Sequence, residues 1–120
     1  MTQEEKELLL KDLCARLPYG VKMSVNDRVE VLQGINPVDN IVECSSFLAS
    51  KIEYCKPYLF PLSSMTEEQK EEYQYITERW MYDSSYSICN STDYLNKNHF
   101  DYRGLIEKGL AIDATGLNIY

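Results

Sequence analysis

Histidine and tryptophan occur once each in 120 residues, as His99 and Trp80. The four cysteines, Cys14, Cys44, Cys55 and Cys89, never form a Cys-x-x-Cys pair. Zinc sites draw on such pairs, and one imidazole cannot complete the usual ligand sets, so no metal and no cofactor are expected. Cations are also scarce: Lys and Arg total 12 against 19 Asp and Glu, a net charge of −7. A polyphosphate backbone needs clustered cations, so direct nucleic-acid binding is not expected. There is no apolar run of the ~18–20 residues that a membrane span requires. The opening Met1 to Glu7 is polar and acidic, unlike the basic start and apolar core of a signal peptide. The expected location is therefore cytoplasmic, with reduced and mostly buried thiols. Also missing are a Gly-x-Ser-x-Gly elbow, a phosphate-cradling glycine loop and a paired-histidine metal spacing.

What remains is ordinary globular material, 44% hydrophobic and 26% charged, enough to fold without a metal or disulfide. Thr2 with Glu5 forms a capping-box pattern. Leu9, Leu10, Leu13, Cys14 and Leu17 then fall on one helical face, with Glu4, Glu7, Lys11 and Asp12 largely outside it. Pro18 and Gly20 stop that helix near Leu17. Val21, Met23 and Val25 alternate with polar residues, Asn26-Asp27 suits a tight turn, and Val29 and Val31 resume the alternation, so a hairpin is predicted. Gly34 to Asn40 reads as a loop. Ile41 to Leu48 and Ile52 to Leu59 read as two further strands, the second placed at an edge or cut short by Pro57. Thr66 with Gln69 caps a second helix whose Tyr73, Ile76, Trp80 and Met81 share a face down to about Tyr82. Asp83 to Asn90 reads as a loop. Ser91 or Thr92 caps a short helix through Lys97, Asp101 caps a further turn ended by Gly109, and Leu110 to Ile112 is a strand or an extended segment. The expected fold class is α+β, a small antiparallel sheet of roughly three to five strands packed against two main helices, with short C-terminal helical turns. Residues 1–120 read as one domain.

Chemistry-bearing residues concentrate in Asn98 to Gly104, where His99 stands beside Asp101, Tyr102 and Arg103. On a strand His99 and Asp101 would share a face, with Tyr102 as a second acid and Arg103 as an anion clamp. A structural reading explains the same residues more economically. Asn98 takes the left-handed position ending a helix, Asp101 caps the next turn, Phe100 is buried between them, and Arg103 pairs locally or lies on an aromatic face. The other departure from the ordinary is tyrosine, 10 residues against 3 Phe; its apolar body and polar tip suit half-buried strands and protein interfaces. Acidic runs, Glu4 to Glu7 and Glu67 to Glu72, each sit at a helix start, where negative charge is stabilising.

Two blocks carry a resemblance. One runs from Lys56-Pro57-Tyr58-Leu59-Phe60-Pro61 to Glu68; the other runs from Asp93-Tyr94-Leu95-Asn96 through His99-Phe100-Asp101-Tyr102-Arg103-Gly104 to Ala111. Together they resemble a family of short uncharacterised proteins encoded by gut anaerobic bacteria and their phages and prophages. The resemblance covers roughly the second half of the chain and implies a small cytosolic accessory protein of mobile-element origin, with no catalytic residue to carry over. Relatives often have arginine where this chain has Phe60, so a charged contact there would be missing. The expected function is non-catalytic, through contacts with a protein partner, and His99, Asp101, Tyr102, Arg103, Tyr58 and Phe60 are the candidate interaction or latch residues. An acidic inhibitor that mimics nucleic acid, an enzyme using the His99/Asp101 region, and a homodimer are the alternatives.

Overall fold

The computed structural model describes residues 1–46, 49–82 and 89–120, and among these the side chains of residues 79–82, 89 and 90 are left aside. The chain is α+β, as expected. The elements are α1 (Gln3–Arg16), β1 (Lys22–Val25), β2 (Arg28–Asn36), β3 (Ile41–Cys44), β4 (Ala49–Lys51), β5 (Cys55–Pro61), α2 (Glu67–Tyr82), α3 (Cys89–Lys97), β6 (Phe100–Asp101) and β7 (Ile112–Asp113). Among the described residues no helix is long and apolar enough to cross a membrane.

The sheet departs from expectation in size and in sense. Among the described residues it has seven strands in the order β4-β3-β2-β1-β5-β6, with β7 also on β5. β1 to β4 pair antiparallel, and β1 pairs antiparallel with β5. β6 and β7 pair parallel with β5. The two parallel strands have two residues each, which is why no period-2 run announces them. The sheet is therefore mixed rather than antiparallel.

Pro57 does not place β5 at an edge. The strand is interior, between β1 and β6, and runs to Pro61. Pro57 is opposite Met23 at the last pair of the β1–β5 ladder, and the parallel partners begin at Tyr58 and Phe60. The missing N–H thus falls where the strand changes partner, a position that asks least of it.

The hairpin forms as expected. Asn26 and Asp27 both have positive φ, 50° and 65°, the requirement of the turn whose twist matches the strands it joins. That two-residue turn sets Met23 opposite Glu30 and Ser24 opposite Val29. Paired residues share a face, so the inward positions of β2 are Glu30 and Leu32, and Val29 is left 51% exposed. The predicted loop from Gly34 starts later, because β2 continues to Asn36 through an irregularity between Leu32 and Gly34. Asn36 Oδ1 accepts from Val38 and Asp39 N–H to close the turn. Of the predicted strand Ile41 to Leu48, residues 41–44 are strand and 45–46 turn, while Phe47 and Leu48 lie outside the described residues. The next predicted strand opens with a short 3₁₀ turn at Ile52–Tyr54 before β5.

Both capping boxes form. Thr2 Oγ1 accepts from Glu5 N–H while Glu5 Oε1 accepts from Thr2 N–H, and Thr66 and Gln69 exchange the same pair of bonds. α1 ends at Arg16, followed by a 3₁₀ turn through Pro18 and a left-handed Gly20. Its buried stripe is Leu9, Asp12, Leu13 and Arg16, while Cys14 is exposed. The stripe is thus rotated from the predicted one, and Asp12, expected outside, is fully inside. One core cluster joins Leu9 and Leu13 of α1 to Val21, Met23, Leu32, Val42 and Leu59 of the sheet region and to Leu105 and Leu110.

After α2, the expected loop over Asp83 to Asn90 falls mostly on residues 83–88, outside the described residues. α3 already includes Cys89, so Ser91 and Thr92 lie within the helix rather than capping it. The third helix ends at Lys97, as expected.

Candidate functional site

At the end of α3 the left-handed residue is His99, φ 62°, not Asn98. Asn98 instead closes the helix by donating both its backbone N–H and its Nδ2 to Tyr94 O, at 3.1 and 2.9 Å. The turn at His99 starts β6 and breaks the alternation that would have put His99 and Asp101 on one face. His99 O accepts from Phe60 N–H at 2.8 Å, docking β6 on β5.

Asp101 faces the next segment. Its two carboxylate oxygens accept from Leu105 N–H and Ile106 N–H, each at 2.9 Å. It therefore organises a single turn, further along than an ordinary N-cap reaches. The turn closes with Leu110 N–H on Leu105 O and Gly109 N–H on Ile106 O, and Gly109 has φ 73°. That is the double-bonded helix stop in which glycine takes the left-handed position at least cost. Both acceptor atoms of Asp101 are thus engaged by backbone.

Tyr102 and Arg103 belong to a polar cluster with α1, which the sequence reading missed. Asp12 and Arg16, one turn apart, are both fully buried and meet at 2.8 Å (Arg16 Nε to Asp12 Oδ2). Arg16 Nη2 donates to Phe100 O at 2.6 Å, tying α1 to β6. Arg103 Nη1 lies 3.4 Å from Asp12 Oδ1 and donates to Tyr102 Oη at 3.0 Å. Tyr102 Oη in turn donates to Asn96 Oδ1 at 2.9 Å, and Asn96 is itself buried. The two guanidinium carbons stand 5.3 Å (Arg16) and 4.7 Å (Arg103) from the Tyr102 ring centroid, a distance at which the ring face attracts a cation. Arg103 is expected to pair locally or to lie on an aromatic face; it does both through Tyr102, with Asp12 added from 91 positions away. The i,i+4 spacing of Asp12 and Arg16 was the available signal; it reads the same for a solvated pair, so burial was invisible.

His99 turns to other neighbours. Its ring stacks on Tyr120 with centroids 3.8 Å apart and planes 11° from parallel. Half-buried Phe60 packs against Tyr120 at 5.8 Å and against Phe100 at 6.3 Å, so its contacts are aromatic. Tyr58 contributes its carbonyl, which accepts from Tyr120 Oη at 2.9 Å. Burial, reinforced by the positive charges of Arg16 and Lys22, pulls the His99 pKa down to about 4. The neutral imidazole that results is the form able to accept a proton, yet its Nδ1 is buried and meets no hydrogen-bond partner among the described residues.

Of the predicted residues, Asp101 and Tyr102 border an open cleft of about 580 Å³ with Pro61, Ser63 and Ile106. Asp101 already accepts from backbone, Tyr102 bonds Asn96, Arg103 turns back to Asp12, and His99 lies on Tyr120. The four residues are neighbours in sequence that serve three different local structures.

A second recess, of about 390 Å³, lies between α2 and α3 and is lined by Glu71, Glu72, Tyr75, Ile76 and Tyr94. Tyr94 Oη donates to Glu72 Oε2 at 2.9 Å, and burial together with that carboxylate pushes its pKa up to about 12. Tyr73 packs on Tyr94 at 6.1 Å. Tyr75 is 59% exposed, and Glu71 and Glu72 are exposed beside it. Compared with family models, curated proteins and solved structures, the chain shows no match to any of the three.

Proposed function

We propose that this chain is a non-catalytic accessory protein that acts by holding a protein partner on the α2–α3 recess, and that it comes from a phage or other mobile element. The observation that carries the reading is the make-up of that recess: an aromatic and aliphatic floor of Tyr75, Ile76 and Tyr94 with the carboxylates of Glu71 and Glu72 at its edge. Apolar bodies with polar tips are the side chains that anchor protein interfaces. A carboxylate rim selects a partner segment carrying Lys or Arg beside an apolar anchor. Asp101, Tyr102 and Arg103, by contrast, are committed to bonds within the fold, which supports a binding role over a reaction centre.

The test is affinity capture from a host lysate at moderate salt, run in parallel with Tyr75→Ala and with a Glu71→Lys/Glu72→Lys double variant. A partner retained by the wild-type chain, lost with either variant and released as salt rises supports the proposal. Partners that are indifferent to both variants would remove its basis. The acidic-inhibitor reading has its own signature here: the captured protein would be a nucleic-acid binder, and added duplex DNA would compete it off.

A further inference from the structure

Tyr120, 42% exposed, is seated at the end of the β1–β5 ladder by hydrogen bonds at its hydroxyl and by a stacked ring. The β1–β5 ladder stops at Met23 and Pro57. Immediately beyond it the Tyr120 hydroxyl accepts from Lys22 N–H at 2.8 Å and donates to Tyr58 O at 2.9 Å. One phenol thus satisfies a donor and an acceptor on two neighbouring strands, at the point where Pro57 has ended their direct pairing. His99 covers one ring face by flat stacking, and Phe60 packs against the ring at an angle of 52°. The Lys22 ammonium stands 5.6 Å from the ring centroid and donates to Ile119 O at 2.7 Å.

The strap that delivers this ring is fixed at Ala114, where the N–H donates to Leu59 O, and at Ile119 and Tyr120, and is exposed between them. Residues Thr115 to Asn118 are exposed, and the backbone has positive φ at Gly116 (76°) and Asn118 (54°). In the stacked His99, Nδ1 is buried and meets no hydrogen-bond partner among the described residues. Arg16 is fully buried, and its charge reaches both His99 and Tyr120. A recess of about 220 Å³ lies beside the ring contacts, lined by Phe60, Phe100 and Asn98, with Thr115 and Gly116 of the strap forming part of its wall.

We propose that the gap between Lys22 and Tyr58 is a binding site for a para-substituted phenol, with Tyr120 as its built-in occupant, and that a phenol brought by another molecule replaces Tyr120 when the strap lifts. His99 and Phe60 hold the ring, Lys22 N–H and Tyr58 C=O read the hydroxyl, and the strap closes the site by intramolecular competition. Competition by a tethered group at millimolar effective concentration weakens binding from solution without abolishing it. The ligand is a free phenol or the tyrosine of another polypeptide, two sources that share this chemistry. The inference is independent of the α2–α3 recess.

The test uses the full chain carrying Tyr120→Ala, titrated with 4-methylphenol and followed by the proton resonances of the single imidazole and by thermal unfolding. Saturable binding is expected, with the His99 resonance returning toward its wild-type position and the Tm rising. Toluene, which leaves the Lys22 N–H and Tyr58 C=O unpaired, should bind at least tenfold more weakly. Wild-type protein should bind 4-methylphenol at least tenfold more weakly than the variant. A peptide with the sequence of residues 114–120 that outcompetes 4-methylphenol identifies a polypeptide source, and one that does not identifies a free phenol. A folded Tyr120→Ala protein that gives no saturable response, or that binds toluene equally well, overturns the proposal. Should that variant not fold, Tyr120→Phe keeps the ring and loses the hydroxyl; 4-methylphenol must then bind it at least fivefold more tightly than wild type, and equal affinities overturn the proposal.

Discussion

Asp12→Ala is expected to be among the most damaging single changes at a polar position in this chain. Asp12 and Arg16 are both at 0% exposure and meet at 2.8 Å. Removing the carboxylate leaves the Arg16 guanidinium buried with only the Phe100 carbonyl at 2.6 Å, and brings it to face Arg103 with no anion between them. Breaking a buried pair by deleting one partner costs about 3–5 kcal/mol, most of it the penalty of a stranded charge. Arg16→Met should cost less, about 2–4 kcal/mol, because Asp12 keeps Arg103 at 3.4 Å and that side chain is partly exposed. The double variant Asp12→Leu/Arg16→Met removes both charges and fills the space with apolar atoms. It should lose only about 1–3 kcal/mol, chiefly because the Phe100 carbonyl then lacks its donor. The measurement is urea unfolding followed by far-UV circular dichroism, with the slope on urea checked for constancy. The two single losses should exceed the double loss by several kcal/mol, the signature of direct coupling. A double loss equal to the sum of the singles, or an Asp12→Ala loss under about 1 kcal/mol, would refute the reasoning.

Three further outcomes follow from the same geometry. The His99 pKa falls from 6.5 to about 4 in the folded chain, so below pH 6.5 the unfolded chain binds a proton that the folded one refuses. Stability should therefore fall as pH drops from about 6.5 to about 4, by at most about 3 kcal/mol given the partial exposure of the ring; urea midpoints at stepped pH should show that slope, and His99→Asn, which tolerates positive φ, should flatten it. Asp101→Asn keeps the shape but leaves one of the Leu105 and Ile106 N–H groups facing an amide NH₂, with an expected loss of about 1.5–3 kcal/mol in the same unfolding assay; an unchanged midpoint would sink the account of that turn. Thr66→Ala removes the acceptor for Gln69 N–H at the start of α2 and should lose about 1 kcal/mol, whereas Thr66→Asn should retain most of the stability.

Local rules recovered what local chemistry determines. Thr2 with Glu5 and Thr66 with Gln69 are short-range bond pairs, and both helices start where those pairs lie. Asn26-Asp27 admits positive φ at two successive residues, so the hairpin was legible. The inward face of β2 was not, because it depends on register: the turn pairs Met23 with Glu30, and Glu30 is tolerable inside since Ser45 Oγ and Ser46 N–H hold its carboxylate, keeping its pKa low. β6 and β7 were illegible for another reason. Two residues carry no period, and each is a strand only because β5 is there to pair with it.

The same distinction separates the two halves of the 99–103 segment. Asp101 meets partners four and five residues on, so its structural role could be read, apart from the exact reach. His99 and Arg103 meet partners from distant elements, Tyr120 and Asp12, and nothing in their own neighbourhood names these. A cluster of His, Asp, Tyr and Arg in five residues resembles a reaction centre because sequence proximity suggests convergence. Convergence needs side chains aimed at one point, and here the left-handed turn at His99 (φ 62°) and the downstream reach of Asp101 aim them apart. Around these residues lie two arrangements that sequence order hides: a charged core shared by α1 and Tyr102, and the ring of Tyr120 stacked on the histidine with its hydroxyl bridging two strands.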